Sequence, residues 1–145
     1  MLTLAGLAAL AGIMGAALVG CSSPTSTDAA AAIEGAAESD PTGFVIPQNI
    51  APAGEWEQLA VVCPYTAVAD LPAPFNTAGG DTLLDDGSQW LLLSNEGDPQ
   101  LTKVVLQRDV VDFCSAGEGD TQIAGPNQLW EAHKNDERWE ISIVY

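Results

Sequence analysis

The sequence predicts a mainly β fold, a small antiparallel sandwich or roll of five to six strands with little helix. Three observations favour this class. Apolar and polar residues alternate along residues 138–145, which is the pattern of a strand with one buried face. An Asp-Gly turn joins two apolar runs within residues 82–93. Valines recur over residues 101–114, and β-branched residues favour strands.

The first predicted strand lies within residues 56–63, a short apolar run that Pro64 ends. An apolar run without alternation is typical of a central strand that is covered on both faces. The next two strands are predicted at residues 82–84 and 89–93, joined by Asp85-Asp86-Gly87-Ser88. Both central positions of a type I′ turn need a positive φ, which Asp-Gly sequences accept, so we expect a hairpin here.

Residues 101–114 form a long run rich in β-branched residues. Arg108-Asp109 interrupts it, so we expect one strand that is bent or bulged at this point. The valines of this run also have loosely helical spacing, and a helix is the alternative interpretation. A Gly-rich loop is expected to follow at residues 115–127.

A second hairpin is predicted from residues 128–133 and 138–145, which flank a polar turn. Trp130 and Trp139 lie on either side of that turn, and we expect them to form a cross-strand aromatic pair. The last strand has the clearest alternation in the sequence. We therefore expect it to pair inside the sheet instead of fraying.

The first 20 residues contain no charged side chain and are almost entirely Ala, Leu, Gly, Val, Ile and Met. A run of this length is sufficient to span a bilayer as a helix, so a retained membrane anchor is one interpretation. The run is rich in Ala and Gly, and it leads through small residues to Cys21 without a basic stop-transfer cluster. These features favour a cleaved signal peptide.

Leu18-Val19-Gly20-Cys21 resembles the lipobox of bacterial lipoproteins, and the resemblance covers the signal region only. It implies that residues 1–20 are a lipoprotein signal peptide, cut off before Cys21, and that the Cys21 thiol carries a diacylglyceryl group. Cys21 then becomes the mature N-terminus, and palmitate is the expected acyl group. Two acyl chains give a stable membrane anchor, where one gives marginal binding. The expected location is the cell membrane, facing the extracellular or cell-wall side.

Residues 21–54 are predicted to be the lipidated cysteine and a flexible tether rich in Pro, Ser and Ala. Turn-forming residues recur along it, and the Ala-rich stretch 29–37 has almost no apolar face that packing could hold as a helix. A flexible chain of this length reaches about 30 Å. Phe44-Val45-Ile46 is the exception, expected to dock on the domain as an edge element. The folded β domain is predicted at residues 55–145.

With Cys21 assigned to lipid, two cysteines remain, Cys63 and Cys114. An even pair in a small exported domain indicates a disulfide, and a reactive thiol is the alternative. A CxxC redox motif is absent from the sequence. No second Cys or His stands close enough in sequence to suggest a zinc site.

The sequence is strongly acidic, with twenty Asp and Glu against four Lys and Arg and a net charge of −16. A surface of this sign repels phosphate backbones and anionic lipid headgroups, so we expect no nucleic-acid partner. It attracts a basic protein, a cationic ligand or a divalent metal. The simpler interpretation is that the acidic residues keep an exposed protein soluble.

The sequence carries no strong catalytic or metal-binding motif, so we expect no enzyme activity, no cofactor and no metal. His133 is the only histidine, beside a predicted turn, and no GxSxG-type elbow is present. Acidic turns near Asp85, Glu96 and Glu118 lack the EF-hand spacing, so only a composite calcium site remains as an alternative. A carboxylate pair for glycoside hydrolysis has no specific signal among twenty acids.

The expected function is that of a lipid-anchored cell-envelope protein, which presents its acidic β domain as a protein-binding or structural module to another envelope protein. The alternative is an envelope lipoprotein that binds a solute, a metal or a glycan through acidic loops or exposed Trp residues. Core or hairpin packing is the simpler role for the tryptophans. Tyr65 is a candidate member of an exposed aromatic patch with these tryptophans. The tryptophans are Trp56, Trp90, Trp130 and Trp139.

Overall fold

The apolar runs of the sequence form two β-sheets in the computed structural model, which describes residues 26–50, 55–78, 82–116 and 121–145. Within these residues the mainly β class is confirmed, with seven strands instead of five to six, and one α-helix, α1 (Ser26–Ser39). The sheet orders are β3-β2-β1-β5 and β4-β7-β6. The strands are β1 (Gln58–Val62), β2 (Ser88–Ser94), β3 (Thr102–Gln107), β4 (Val111–Asp112), β5 (Gln122–Ala124), β6 (Trp130–Asn135) and β7 (Arg138–Ile143).

Strand β1 lies inside the first sheet, antiparallel to both β2 and β5. Its Leu59 belongs to the core between the two sheets, whereas Ala60 belongs to a second apolar cluster on the opposite face. Loop residues, among them the fully buried Phe75, cover that second face. The prediction of a central strand covered on both faces is therefore confirmed.

The hairpin predicted within residues 82–93 is wrong. Strand β2 pairs with β1 on one side and with β3 on the other, so neither edge is left for the residues that precede it. Thr82 instead makes an isolated antiparallel bridge with Ala67. The hairpin partner of β2 is β3, and Gly97 supplies the positive φ, 79°, in the turn between them.

Residues 101–114 form two strands that belong to different sheets, so the chain bends where predicted, but the prediction of one continuous strand is wrong. The helical alternative is excluded. Val104 and Leu106 alternate along β3 and face the core. The chain then turns at Arg108-Asp109, and β4 runs parallel to β7 in the second sheet. The polar pair thus marks the corner where the chain leaves one sheet for the other.

Strands β6 and β7 form the predicted second hairpin, and β7 pairs on both sides, between β4 and β6. Asp136, with a φ of 56°, occupies the tight turn between them. The predicted pair of Trp130 and Trp139 is wrong. The register places Trp130 opposite Ile143 and Trp139 opposite Lys134, four residues away along the strand.

Helix α1 differs from the flexible tether predicted for this part of the chain. Four small or apolar residues lie along one face of the helix and are at most 8 % exposed, within the same core as β3 and β4. Alanine has a small side chain and the highest helix propensity, so this face packs closely on the sheets without large apolar groups. The four buried residues are Ala29, Ala30, Ile33 and Ala37.

The segment after the helix also belongs to the folded domain. Phe44 exchanges two backbone hydrogen bonds with Trp130 at the edge of β6, at 3.0 and 2.8 Å, which confirms the expected docking of residues 44–46. Ile46 and Ile50 are buried in the core. Among the described residues, no helix is long and apolar enough to cross a membrane. The predicted signal peptide, Cys21 and the rest of the predicted tether (residues 22–25 and 51–54) lie outside the described residues.

The predicted disulfide between Cys63 and Cys114 is confirmed, with 5.7 Å between the two Cα atoms. Cys63 follows β1 and Cys114 follows β4, so the bond links the first sheet to the second. The buried side chain of Gln89 on β2 makes a second link between the two sheets. Its amide nitrogen donates to the Val111 carbonyl, and its amide oxygen accepts from the Phe113 N–H at 2.9 Å.

Asp112 of β4 is a fully buried carboxylate beside the disulfide. Its oxygens pair with Arg108 at 3.0 Å and with Arg138 at 3.5 Å, and they accept the Cys114 backbone N–H at 2.8 Å. A buried charge is costly unless it is paired and hydrogen-bonded. These three partners satisfy Asp112, and they tie the corner after β3 to the last hairpin.

Candidate functional site

A groove of about 610 Å³ opens at the end of the first sheet where β1 begins and β2 and β5 end. Four chain segments line it, namely residues 45–48, 55–57, 95–96 and 126–127. We call it the acidic groove. Its volume is within the range of small-ligand sites.

Trp56 fixes the geometry of the acidic groove. Its indole is buried and donates through Nε1–H to the Pro47 carbonyl at 3.3 Å, while its backbone N–H donates to the Gln48 side-chain oxygen at 3.0 Å. The next residue, Glu57, donates its backbone N–H to the Ser94 carbonyl at 2.8 Å. These bonds hold the segment before β1 between the chain after α1 and the end of β2.

Three acidic residues line the acidic groove, Glu55, Glu57 and Glu96, and none of the lining residues that the structure describes is basic. Glu55 and Glu57 flank the buried Trp56, and both line the groove. Loss of solvation raises the pKa of the Glu57 carboxyl, and the neighbouring Glu96 carboxylate raises that pKa further. The three acidic residues together make the groove a place where a positive charge is favoured.

Two amide side chains of residues in the groove lining each keep one polar atom without a partner. Within the part of the chain that the structure describes, the Gln48 nitrogen Nε2 and the Asn95 oxygen Oδ1 are buried atoms without a hydrogen-bond partner. One is a donor and the other an acceptor. Both residues belong to the groove lining, and these two atoms are themselves shielded from solvent.

The acidic side chains that suggested a calcium site accept hydrogen bonds from groups of their own turns instead. The Asp85 carboxylate accepts hydrogen bonds from the Gly87 N–H at 2.9 Å and from the Ser88 hydroxyl, and these lower the pKa of Asp85. Asp98 accepts the N–H of Gln100 at 2.8 Å. In the described ranges no three His, Cys, Asp or Glu side chains are grouped as a metal site. Asp81, Glu118 and Asp120 of the predicted clusters lie outside those ranges.

The candidate aromatic patch is not assembled from tryptophans. Trp56, Trp130 and Trp139 are buried, and Trp90 is half-buried with the Lys103 ammonium 4.4 Å above its ring. Tyr65 is 58 % exposed, at a shallow depression of its own.

His133 is exposed on β6, directly opposite Glu140 on β7, and the structure does not bring it to the acidic groove. Of the predicted site residues, the structure brings Cys63 and Cys114 together. The acidic groove was not predicted. Its sequence signal is the Glu55-Trp56-Glu57 pattern immediately before a strand, which places two acids side by side around an anchoring Trp.

Comparisons with known proteins add nothing to this geometry. No protein-family model, no curated protein and no solved structure matches this chain.

Proposed function

We propose that this protein is a lipoprotein of the bacterial envelope, held through Cys21 in the cell membrane on its extracellular or wall-facing side, and that its acidic β domain binds a basic segment of another envelope protein. The role is non-enzymatic. Two features of different origin support the proposal. The lipobox resemblance of Leu18-Val19-Gly20-Cys21 supports the anchor, and the acidic groove supports the binding.

The observation that carries the binding proposal is the unbalanced charge of the groove. Among the described residues, Glu55, Glu57 and Glu96 line one concavity that has no basic residue in its lining. Loss of solvation and the neighbouring Glu96 carboxylate raise the pKa of Glu57. A Lys or Arg side chain of the partner protein relieves the repulsion among the three carboxylates with its cationic group. Its aliphatic stem packs along apolar lining such as Val45 and Pro126.

The anchor is tested by growth with labelled palmitate. The full chain is expected to incorporate the label, and the Cys21→Ala variant is expected to lose it. Ser22→Ala is the matched control, because it alters the neighbouring residue and leaves the thiol in place. Label that persists in Cys21→Ala would exclude Cys21 as the lipidated residue.

The binding role is tested by cross-linking on intact cells, followed by purification of the protein. We expect a co-purified partner, and we expect about tenfold weaker capture when Glu55, Glu57 and Glu96 are all changed to Gln. Exposed ion pairs contribute about 0.5 kcal/mol each, and the sum of three corresponds to about a factor of ten. The control changes three exposed acids elsewhere, Asp70, Asp109 and Glu137, to their amides. Recovery of the protein alone contradicts the proposal.

A second candidate function is favoured by the size of the acidic groove, which is sufficient for a small organic cation. In this case the protein is a solute-binding lipoprotein. A thermal-shift series with a diamine, with arginine and with Ca²⁺ separates the two candidates, because a bound ligand raises the melting temperature by mass action. A shift with the organic cations at millimolar concentration supports solute binding, and the absence of any shift excludes it.

A further inference from the structure

The packing of α1 shortens the length of chain that separates Cys21 from the folded domain. Ala29, Ala30 and Ile33 are already in the core. The folded domain, which we call the head, therefore begins within the first turn of a helix that starts at Ser26. The chain from Cys21 to Ser26 consists of five Cα–Cα steps. At full extension these steps span about 18 Å, against about 30 Å for the flexible tether that the sequence suggested.

This length is short compared with the head itself. A domain of about 120 residues has a radius of gyration of about 14 Å, and hence a diameter larger than the connection to the lipid. A head on such a connection has no room to move clear of the bilayer surface. It stays within the layer of space that the external loops of membrane proteins also occupy.

Charge indicates which component of that layer the head binds. All twenty acidic residues and all four basic residues lie after Thr27, so the head alone carries the net charge of −16. Anionic headgroups repel a surface of this sign. The short connection therefore keeps the head close to the bilayer. The acidic groove does not bind the anionic bilayer surface itself.

We infer that the head is membrane-apposed and that its partner is a membrane-embedded protein, which presents a basic external segment close to the bilayer to the acidic groove. This inference rests on the proposed lipid anchor and the proposed binding role, and it names the class of partner. Confinement of both proteins to one membrane raises their effective concentration, so modest affinity at the groove is sufficient. A polymer deep in the cell wall lies out of reach.

The distance is measured on the full, lipidated protein reconstituted into phosphatidylcholine vesicles that carry an acceptor dye on the lipid headgroups. A donor dye is attached at Glu38→Cys, an exposed position at the end of α1. The matched control inserts a Gly/Ser spacer of about 30 residues between Ser23 and Pro24, which restores a reach of about 30 Å. We expect strong energy transfer in the native chain and a severalfold loss of transfer in the spacer variant.

Equal transfer in the two chains overturns the membrane-apposed head. Failure of the proposed anchor has a different signature, because a protein that lacks lipid does not float with the vesicles at all. The partner class is tested on intact cells by comparing cross-linked capture from native and spacer chains. Capture of a membrane protein that falls severalfold with the spacer supports the inference, and undiminished capture or capture of wall polymer overturns it.

Discussion

Asp112 joins the bend after β3, the disulfide and the last hairpin. Its carboxylate is buried and binds Arg108, Arg138 and the backbone N–H of Cys114. The sequence signal of Asp112 is an acid inside an apolar run, with an arginine four residues before it.

Replacing Asp112 tests this arrangement. Asp112→Asn keeps the shape and removes the charge, which leaves both arginines without their buried partner. Loss of one member of a buried pair costs about 3–5 kcal/mol, and we expect about 3 kcal/mol because both arginines retain contact with water. The exposed Asp109→Asn is the control, with an expected change within about 0.5 kcal/mol. Denaturant unfolding measures both, and similar values for the two variants would contradict the account.

The raised pKa of Glu57 predicts a pH dependence of stability. In the folded state this carboxyl holds its proton more tightly than in the unfolded state, so its contribution is present at pH below the ordinary value of 4.5 and is lost as the pH rises through the raised value. Glu57→Gln removes this loss, so the variant is expected to be more stable than the native chain at neutral pH and to lose that advantage in acid.

The cause of the Glu57 shift is separately testable. Glu96→Gln removes the neighbouring carboxylate, and the pKa of Glu57 is expected to fall towards its ordinary value in a carboxyl NMR titration. An unchanged titration would assign the shift to loss of solvation alone and weaken the description of the groove as a site for positive charge.

Helix α1 shows at the scale of elements where sequence patterns mislead. Its buried face is mostly alanine, and an alanine face has too weak an apolar contrast to be distinguished from an Ala-rich linker. Strands were easier to predict, because large apolar residues in β1 and β7 give unambiguous patterns. The partner of each strand was harder. The hairpin at residues 82–93 failed because an Asp-Gly sequence also suits an isolated turn, and long-range pairing with β1 decided the outcome.

Ile33→Ala tests whether α1 is part of the folded core. Ile33 is fully buried, and removing a buried Ile side chain costs about 2–5 kcal/mol. Alanine is also the better helix former, so an undocked helix would be unaffected or slightly stabilised. Glu38→Ala, at an exposed position of the same helix, is the control with an expected change within about 0.5 kcal/mol. A neutral Ile33→Ala result in thermal or denaturant unfolding would return α1 to the role of a linker.

At the scale of the whole molecule, the two sheets, α1 and the disulfide form one body, with the acidic groove at one end of the first sheet. The fold class and the disulfide were predictable because periodicity and cysteine count are readable from the sequence without knowing which segments meet. The groove was not, because its lining segments range from residue 45 to residue 127 and only the tertiary fold brings them together.

The cross-link between the sheets is expected to carry a large share of the stability. Replacing both Cys63 and Cys114 by Ala opens a loop of 51 residues in sequence separation. The chain-entropy relation gives a loss of about 4 kcal/mol for this length. Denaturant unfolding of the double variant measures the loss, and the native chain with its disulfide reduced serves as the comparison. A loss below about 1 kcal/mol would show that noncovalent contacts alone hold the sheets together.

The central claim, that an anchored head binds a basic partner in the acidic groove, is tested most directly by a photo-cross-linker placed at Asn127, an exposed residue of the groove lining, on intact cells. The same cross-linker at exposed Gln107, outside the groove lining, is the control. We predict a defined adduct with one membrane protein from Asn127, lost when Glu55, Glu57 and Glu96 are changed to Gln, and no such adduct from Gln107. Equal adducts from both positions, or an adduct from Asn127 that survives removal of the three carboxylates, would contradict the claim.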